Sequence, residues 1–356
     1  VHVQNCMEAG AVGQSVYVEK LEDAICRYTG AKHCIVTANG TMADAVAMAA
    51  VKEAFGYKRV VIPALTFIAQ PNAARFAGLD IVWCDVTGDW TLDWAKAERV
   101  SDAFICYTDL MGRMAVPPLG PHTVEDACEA FGSEINGQKA GRYGTLGTFS
   151  FFVSHTVTTG EGGAVITDND HLADLCRSLR SHGRASDTDA LDKFRFPRRG
   201  FNAKMSGLTA AYGLGVMAHI GEYVEKRREN FSLMNRLMGY QWPVRQSEKV
   251  APHGYPVQFR NEMSRDMAMK ALLNAGIECR KFFSSLPTME IAYSNSGHKV
   301  GDFPEAERIG RTYLYVPCHQ NLSVEDVHTV AGTVLEQDGI IHDYVSELES
   351  VKVCEF

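Results

Sequence analysis

Long apolar runs are missing from this chain: no stretch of about 18 apolar residues, the length that carries a helix across a bilayer, occurs in it. The opening VHVQNCMEAG has no cationic segment leading into an apolar one, so no secretory signal is read there and a cytoplasmic location is expected. Close cysteine pairs are missing too. The ten cysteines, at 6, 26, 34, 84, 106, 128, 176, 279, 318 and 354, never stand as Cys-x-x-Cys or Cys-x-Cys. That scatter argues against a zinc knuckle or an iron-sulfur ligand set and suits reduced, buried thiols; no metal is expected. Positive charge is in deficit, with 35 Lys and Arg against 43 Asp and Glu and a formal net charge of -8. Neither nucleic acid nor an anionic membrane is therefore an expected partner. The one dense basic cluster, EKRREN at 225–230, mixes acids with bases and reads as a solvated helix face. Internal repeats and low-complexity segments are absent, and no Gly-Lys-Ser/Thr follows the Gly-rich turn near 160.

What is present is an ordinary enzyme composition on 356 residues, long for one compact core. Two unequal domains are expected, a large one over 1–235 and a smaller one over 236–356. From 15 to 180 short β-branched runs alternate with helical patterns, the mark of a sheet with crossover helices on both faces. HCIVTA (33–38), RVVIPA (59–64), DIVWCDV (80–86), DAFICYT (102–108), HTVED (122–126) and GAVITD (163–168) are the strand candidates. Between the first two, TMADAVAMAAVKEAF (41–55) has helical periodicity. Residues 205–240 read as one or two long helices leaving the large domain. Beyond them YPVQF (255–259) and IECRKFF (277–283) flank a helix over 264–276, and a last helix over 323–337 opens with Ser323 and Asp326 placed for a capping box. The longest loop candidate is 284–304.

Three stretches carry chemistry. In TANGTMADA (37–45) a strand ends, Asn-Gly turns the chain and a helix begins, which suits either a phosphate or a plain structural cap. In TVEDACEAFG (123–132) an acidic pair stands where a strand gives way to a helical pattern. It serves either as a helix N-terminus dressed with acids, or with Asp126 facing the ring nitrogen of a pyridine cofactor. In FSFFVSHTVTTGEGGAVITDN (149–169) a histidine sits between an apolar run and a Gly-rich turn that leads into a strand.

These stretches, with ALTFIAQPNAA (64–74), GAKHCIVTANGT (30–41), GFNAKMSGLTAAYG (200–213) and GDFPEAERIGRTYLYVPCHQNLSVEDV (301–327), occur in an order that resembles the DegT/DnrJ/EryC1/StrS family over nearly the whole chain. The resemblance implies the α/β fold-type I architecture of pyridoxal-phosphate transferases: a mostly parallel central sheet with helices on both faces, plus a smaller C-terminal α+β domain. It implies pyridoxal 5'-phosphate or pyridoxamine 5'-phosphate as cofactor and a nucleotide sugar as substrate, in deoxysugar and O-antigen biosynthesis. Carried over by residue, Gly40 and Thr41 hold the cofactor phosphate with Ser150, Phe67 stacks on the ring, and Asp126 partners the ring nitrogen. Glu129 stands where many relatives carry an amide facing the ring hydroxyl. Asn202 matches a residue that reaches the phosphate from the neighbouring subunit, which implies a homodimer with shared active sites.

The departure is His155. Aminotransferases of the family have a lysine there, five residues after the phosphate-binding serine, and it bonds covalently to the cofactor; an imidazole cannot. A branch that resembles this sequence in having histidine for lysine, and in its Asn202-Ala203-Lys204, removes the C3 hydroxyl of 4-keto-6-deoxy nucleotide sugars. That implies a dehydratase with His155 as base, neutral at cytoplasmic pH, and with glutamate as amino donor. The lack of a close cysteine pair favours the branch without an iron-sulfur centre. The stretch CRKFFSSLPTM (279–289) departs from the arginine-containing loop of those dehydratases. His182 and Arg184, in RSHGRAS, and Lys204 are candidate contacts for the sugar or its phosphates, or else parts of a solvated loop. A sugar aminotransferase, native or with its lysine replaced, and a non-catalytic sugar-nucleotide-binding relative remain as alternatives.

Overall fold

The apolar runs of the first half become strands that bury both faces, as parallel strands under crossover helices must. The computed structural model describes residues 1–118, 122–185, 194–239, 242, 244–283, 286–337 and 339–340. In chain order its strands are β1 (His33–Thr37), β2 (Arg59–Pro63), β3 (Asp80–Cys84), β4 (Ala103–Thr108), β5 (Thr123–Asp126), β6 (Glu134–Ile135), β7 (Gln138–Lys139), β8 (Leu146–Ser150), β9 (Gly163–Thr167), β10 (Glu248–Lys249), β11 (Tyr255–Gln258), β12 (Arg280–Lys281) and β13 (Tyr313–Val316). Seven form the main sheet in the order β1-β9-β8-β5-β4-β2-β3. From β3 through β8 the pairs are parallel, and β9 alone runs antiparallel to its neighbours β8 and β1. The whole of β4 is buried.

The helix Gly40–Phe55 lies against this sheet and against the helices Ala69–Phe76 and Asp170–Arg180. It can do so because its buried face is built from Ala43, Ala45, Ala47, Ala49 and Ala50, which keep the backbones close. The Asn39 side chain caps it, accepting from the Met42 amide at 2.9 Å. After the two helices Gly207–Met217 and Ile220–Leu237 the chain pairs β10 back onto β6, then forms the antiparallel sheet β11-β13-β12. The helices Glu262–Asn274, Pro304–Thr312 and Val324–Leu335 belong to this region, and the last has the capping box read at Ser323 and Asp326. Among the described residues no helix is long and apolar enough to cross a membrane, and the nine described cysteines are free thiols.

Several expectations change. EKRREN is not simply a solvated face: Arg227 is 2% exposed and Asn230 is 2% exposed, because the helix turns them toward the loops at 252–253 and 319–322. No helix follows the acidic pair Glu125–Asp126; the chain makes turns there, because Glu125 accepts from the amides of Gly141, Tyr143 and Gly144 instead of dressing a helix end. Of 277–283 only Arg280–Lys281 pairs as strand. The loop 284–304 contains the short 3-10 turns Pro287–Met289 and Ile291–Ser296, anchored where Tyr293 donates to Asn72 Oδ1 at 2.8 Å. Residues 284, 285, most of the middle of the 184–200 loop, and 341–356 with Cys354 lie outside the described residues.

Candidate active site

At the end of β1 the chain turns through Asn39 into the helix Gly40–Phe55, and the start of β9 crosses close behind it. Gly163 stands opposite Thr37 on one side and Ser150 on the other. A Cβ on Gly163 would lie 2.6 Å from the Asn39 carbonyl carbon, and a Cβ on Gly40 would lie 2.7 Å from Ser150 Cβ and 3.0 Å from its Oγ. Only glycine fits at either place, so backbone amides rather than side chains form the floor. Asn39 occupies the Met42 amide, and the amides of Gly40 and Thr41 belong to the first helical turn, which has no acceptor within its own helix. With the helix dipole behind them and the Ser150 hydroxyl beside them, they form a cradle suited to a phosphate.

Further in, Asp126 ends β5 and is buried. Its Oδ2 accepts from Gln70 Nε2 at 3.2 Å and its Oδ1 from the Cys128 amide at 3.2 Å. Gln70 also donates to Thr108 Oγ1 at 2.9 Å, while its own buried Oε1 finds no donor among the described residues. Burial raises the Asp126 carboxyl above its ordinary value, and these donors pull it back. Phe67 is 60% exposed on the wall, a large flat apolar ring left bare. Glu129 Oε2 accepts from the Met111 amide at 2.8 Å; burial pushes its carboxyl up to about 7, with the Asp126 charge adding to the effect.

His155 follows β8 by one turn. Its Nδ1 lies 3.1 Å from the Ser150 carbonyl, which can only accept, so Nδ1 carries the hydrogen and Nε2 keeps a lone pair. Burial, with the charge of the buried Arg227 guanidinium, lowers its pKa to about 4 against the pull of the Ser150 and Cys128 carbonyls. The imidazole is therefore neutral at pH 7. The His253 ring stands 5.0 Å away at 84°, on a loop that Arg227 holds by donating to the Pro252 carbonyl at 2.7 Å.

A cavity of about 660 Å³ brings together Gly40, Thr41, Phe67, Asp126, Glu129, Ser150 and His155. An adjoining cavity of about 430 Å³ shares His155, His253, Arg280 and Tyr315 with it and extends toward His319. Gly40 with its cradle, Phe67 as a stacking face and Asp126 at depth fit a phosphorylated pyridine in size and chemistry. The structure does not bring Asn202, His182, Arg184 or Lys204 into their own chain's cavity. They gather instead on the surface: Lys204 Nζ lies 2.7 Å from Asn202 Oδ1 and 3.1 Å from His182 Nε2, and the Arg184 guanidinium stacks 5.6 Å from the Phe196 ring. Sequence reasoning missed Gln70, Thr108, His253, Arg280 and Asp44. Thr108 carried a usable signal, since it ends a strand of a parallel sheet at the edge where ligands bind; His253 and Arg280 are brought in from the C-terminal region by folding alone.

The chain is 28% identical to UDP-4-amino-4,6-dideoxy-N-acetyl-beta-L-altrosamine transaminase of Campylobacter jejuni, over 89% of this chain and 88% of that one. It is 31% identical to GDP-perosamine synthase of Caulobacter vibrioides, over 94% and 93%. It is 25% identical to GDP-4-keto-6-deoxy-D-mannose 3-dehydratase of Yersinia pseudotuberculosis, over 89% and 90%. The solved structure of Helicobacter pylori PseC, an aminotransferase involved in the biosynthesis of pseudoaminic acid, superposes with a TM-score of 0.84 at 22% identity, covering 94% of each chain. Residues 1–335 match the DegT/DnrJ/EryC1/StrS aminotransferase family, and the chain belongs to that family: it is a sugar-modifying pyridoxal-phosphate enzyme of fold type I.

Proposed function

We propose that the enzyme removes the C3 hydroxyl of a 4-keto-6-deoxy nucleotide sugar, working with pyridoxamine phosphate. The observation that carries this reading is His155, which lines the cofactor cavity with Nδ1 tied to the Ser150 carbonyl, five residues after Ser150, where the resemblance puts the lysine of the family's aminotransferases. When bound, the cofactor supplies an amine for the sugar ketone and a ring that withdraws electrons. His155, neutral and with Nδ1 tied to the Ser150 carbonyl, would serve as the proton acceptor that loss of the C3 hydroxyl requires. Asp126 holds the proton of the ring nitrogen, Phe67 stacks on the ring, and Glu129 faces the ring hydroxyl. Gly40, Thr41 and Ser150 hold the phosphate. Asn202, outside its own cavity, completes the partner's phosphate site in a homodimer, with His182, Arg184 and Lys204 at the substrate. Glutamate would be the amino donor, leaving as its 2-oxo acid, while the nitrogen spent on each sugar departs as ammonia.

Amination is the second reading, favoured by the names of two of the relatives above. Against it, Lys281 is the one lysine among the described residues lining the cavity, and it is paired with Asp266 at 3.1 Å. The two readings separate in one experiment. The protein is incubated with pyridoxal phosphate, glutamate and a 4-keto-6-deoxy nucleotide sugar, and the sugar is weighed by mass spectrometry. Loss of one oxygen with the ketone kept supports dehydration; an amino sugar overturns it. Borohydride treatment adds a check, since a cofactor that becomes fixed to the chain without substrate contradicts the role given to His155.

A further inference from the structure

Asp44 has no part in the reading above, and no motif singled it out. It lies in the second turn of the helix Gly40–Phe55, is 2% exposed, and lines the cofactor cavity. Thr148 Oγ1, on β8, donates to its Oδ1 at 2.6 Å. One carboxyl oxygen of Asp44, one of Asp126 and the Cys128 sulfur all lie within 4.8 Å of one another. Two carboxyls this close and this buried do not both ionise readily, and they titrate as a unit.

We infer that Asp44 is a positioning residue for the cofactor: it holds the second proton of a two-carboxyl unit with Asp126, and this unit, rather than Asp126 alone, controls the proton on the pyridine nitrogen. The inference rests on the cofactor site and is independent of the choice between dehydration and amination. The titratable groups facing the pair are Cys106 on β4, Asp109 just beyond β4, Cys128 just beyond β5, and Glu129, each of which feels the Asp126 charge; among the described residues no cation acts on either carboxyl. Burial holds Asp44 well above the usual carboxyl range, and the Asp126 charge adds to this while Thr148 opposes it. Asp126, which has two donors against the one on Asp44, is the better seat for the first negative charge and meets the ring as a carboxylate beside a neutral acid. A pyridinium ion stabilises the second anion in turn, so the Asp44 proton leaves to solvent as pH rises. With two carboxylates beside it, the ring nitrogen then keeps its own proton to higher pH than one carboxylate would allow.

The test is nitrogen NMR of isotopically ring-labelled pyridoxal phosphate bound to the wild-type protein and to Asp44→Asn, followed across pH. Asparagine keeps the volume and still accepts from Thr148 but cannot ionise. In Asp44→Asn the ring nitrogen should lose its proton at a pH lower by about one unit or more, the size of coupling that marks an interacting pair. Thr148→Val removes the donor to Asp44 and should move the midpoint the same way by less; it also serves where Asp44→Asn does not fold. An unchanged midpoint in a folded variant, with only the melting temperature altered, makes Asp44 a mere acceptor for Thr148 and overturns the inference. No bound pyridoxal phosphate in the wild-type protein at any pH removes the cofactor site itself, and this inference with it.

Discussion

The cavity at the ends of β1, β5 and β8 has the carboxyls of Asp44, Asp126, Glu129 and Glu161 in its wall, with Arg280 and Lys281 reaching it from the C-terminal region, whereas the surface beside Asn202 gathers His182, Arg184 and Lys204. The two regions join at the backbone, since Thr37 bridges Lys204 and Ser181 bridges Asn202. Yet the side chains diverge, and on the Gly40 floor the nearest side chains are those of Ser150 and Cys128. The difference teaches how the work is divided. On the proposed reading the cavity governs protons, by burial and like charge, and the surface cluster offers its cationic donors to the partner in a homodimer.

The predictions that break or sharpen this contrast run from the largest effect to the smallest. His155→Ala should slow the single-turnover formation of deoxygenated sugar by about 10²–10⁴-fold, the range for a lost general base, with little change in cofactor affinity. Full activity in that variant would place the base elsewhere. Gly40→Ala drives a Cβ to 2.7 Å from Ser150 Cβ. It should cost about 1–3 kcal/mol in denaturant unfolding and abolish tight cofactor binding, measured by fluorescence titration. Asn202→Ala should weaken cofactor binding by about tenfold, roughly one lost charge-free hydrogen bond to an ionised group. Mixing Asn202→Ala chains with Asp126→Asn chains should regain activity, because each mixed dimer holds one intact site; no regain would confine the site to one chain.

Smaller effects lie in pH. Glu129 is raised to about 7, so its protonated form favours the fold, and stability is lost as pH rises from about 4.5 through 7. His155 is lowered to about 4, so stability is lost as pH falls from about 6.5 through 4. Melting temperature against pH should flatten in the upper window for Glu129→Gln and in the lower one for His155→Gln. Far from both regions, Ser323→Ala should remove the capping box of the last helix at a cost of about 1 kcal/mol and leave cofactor affinity unchanged.

The strand candidates of the first half were legible because a parallel strand buried on both faces is written as an unbroken β-branched run. β8 was harder, since LGTFS carries Gly and polar residues that pack against the helix Gly40–Phe55 and the cavity. The strand at Arg280–Lys281 was overread, since alternating side chains at 277–283 look the same whether two residues pair or seven. The buried Arg227 was misjudged because charge in sequence says nothing about which carbonyls a fold will aim at it, here those of Pro252 and His253.

By itself the sequence determined the alternation of strand and helix, the Asn-Gly turn into a helix, the acid at the end of β5 and the histidine after Ser150. Each of these is a local matter of backbone freedom, side-chain type or spacing. Only the tertiary structure decided that Asp44 comes within 4.8 Å of Asp126, that His253 and Arg280 reach the cavity, and that His182, Arg184, Asn202 and Lys204 do not. These depend on packing between segments far apart in the chain, where burial sets the charge of a group and neither its residue type nor its neighbours in sequence reveal it.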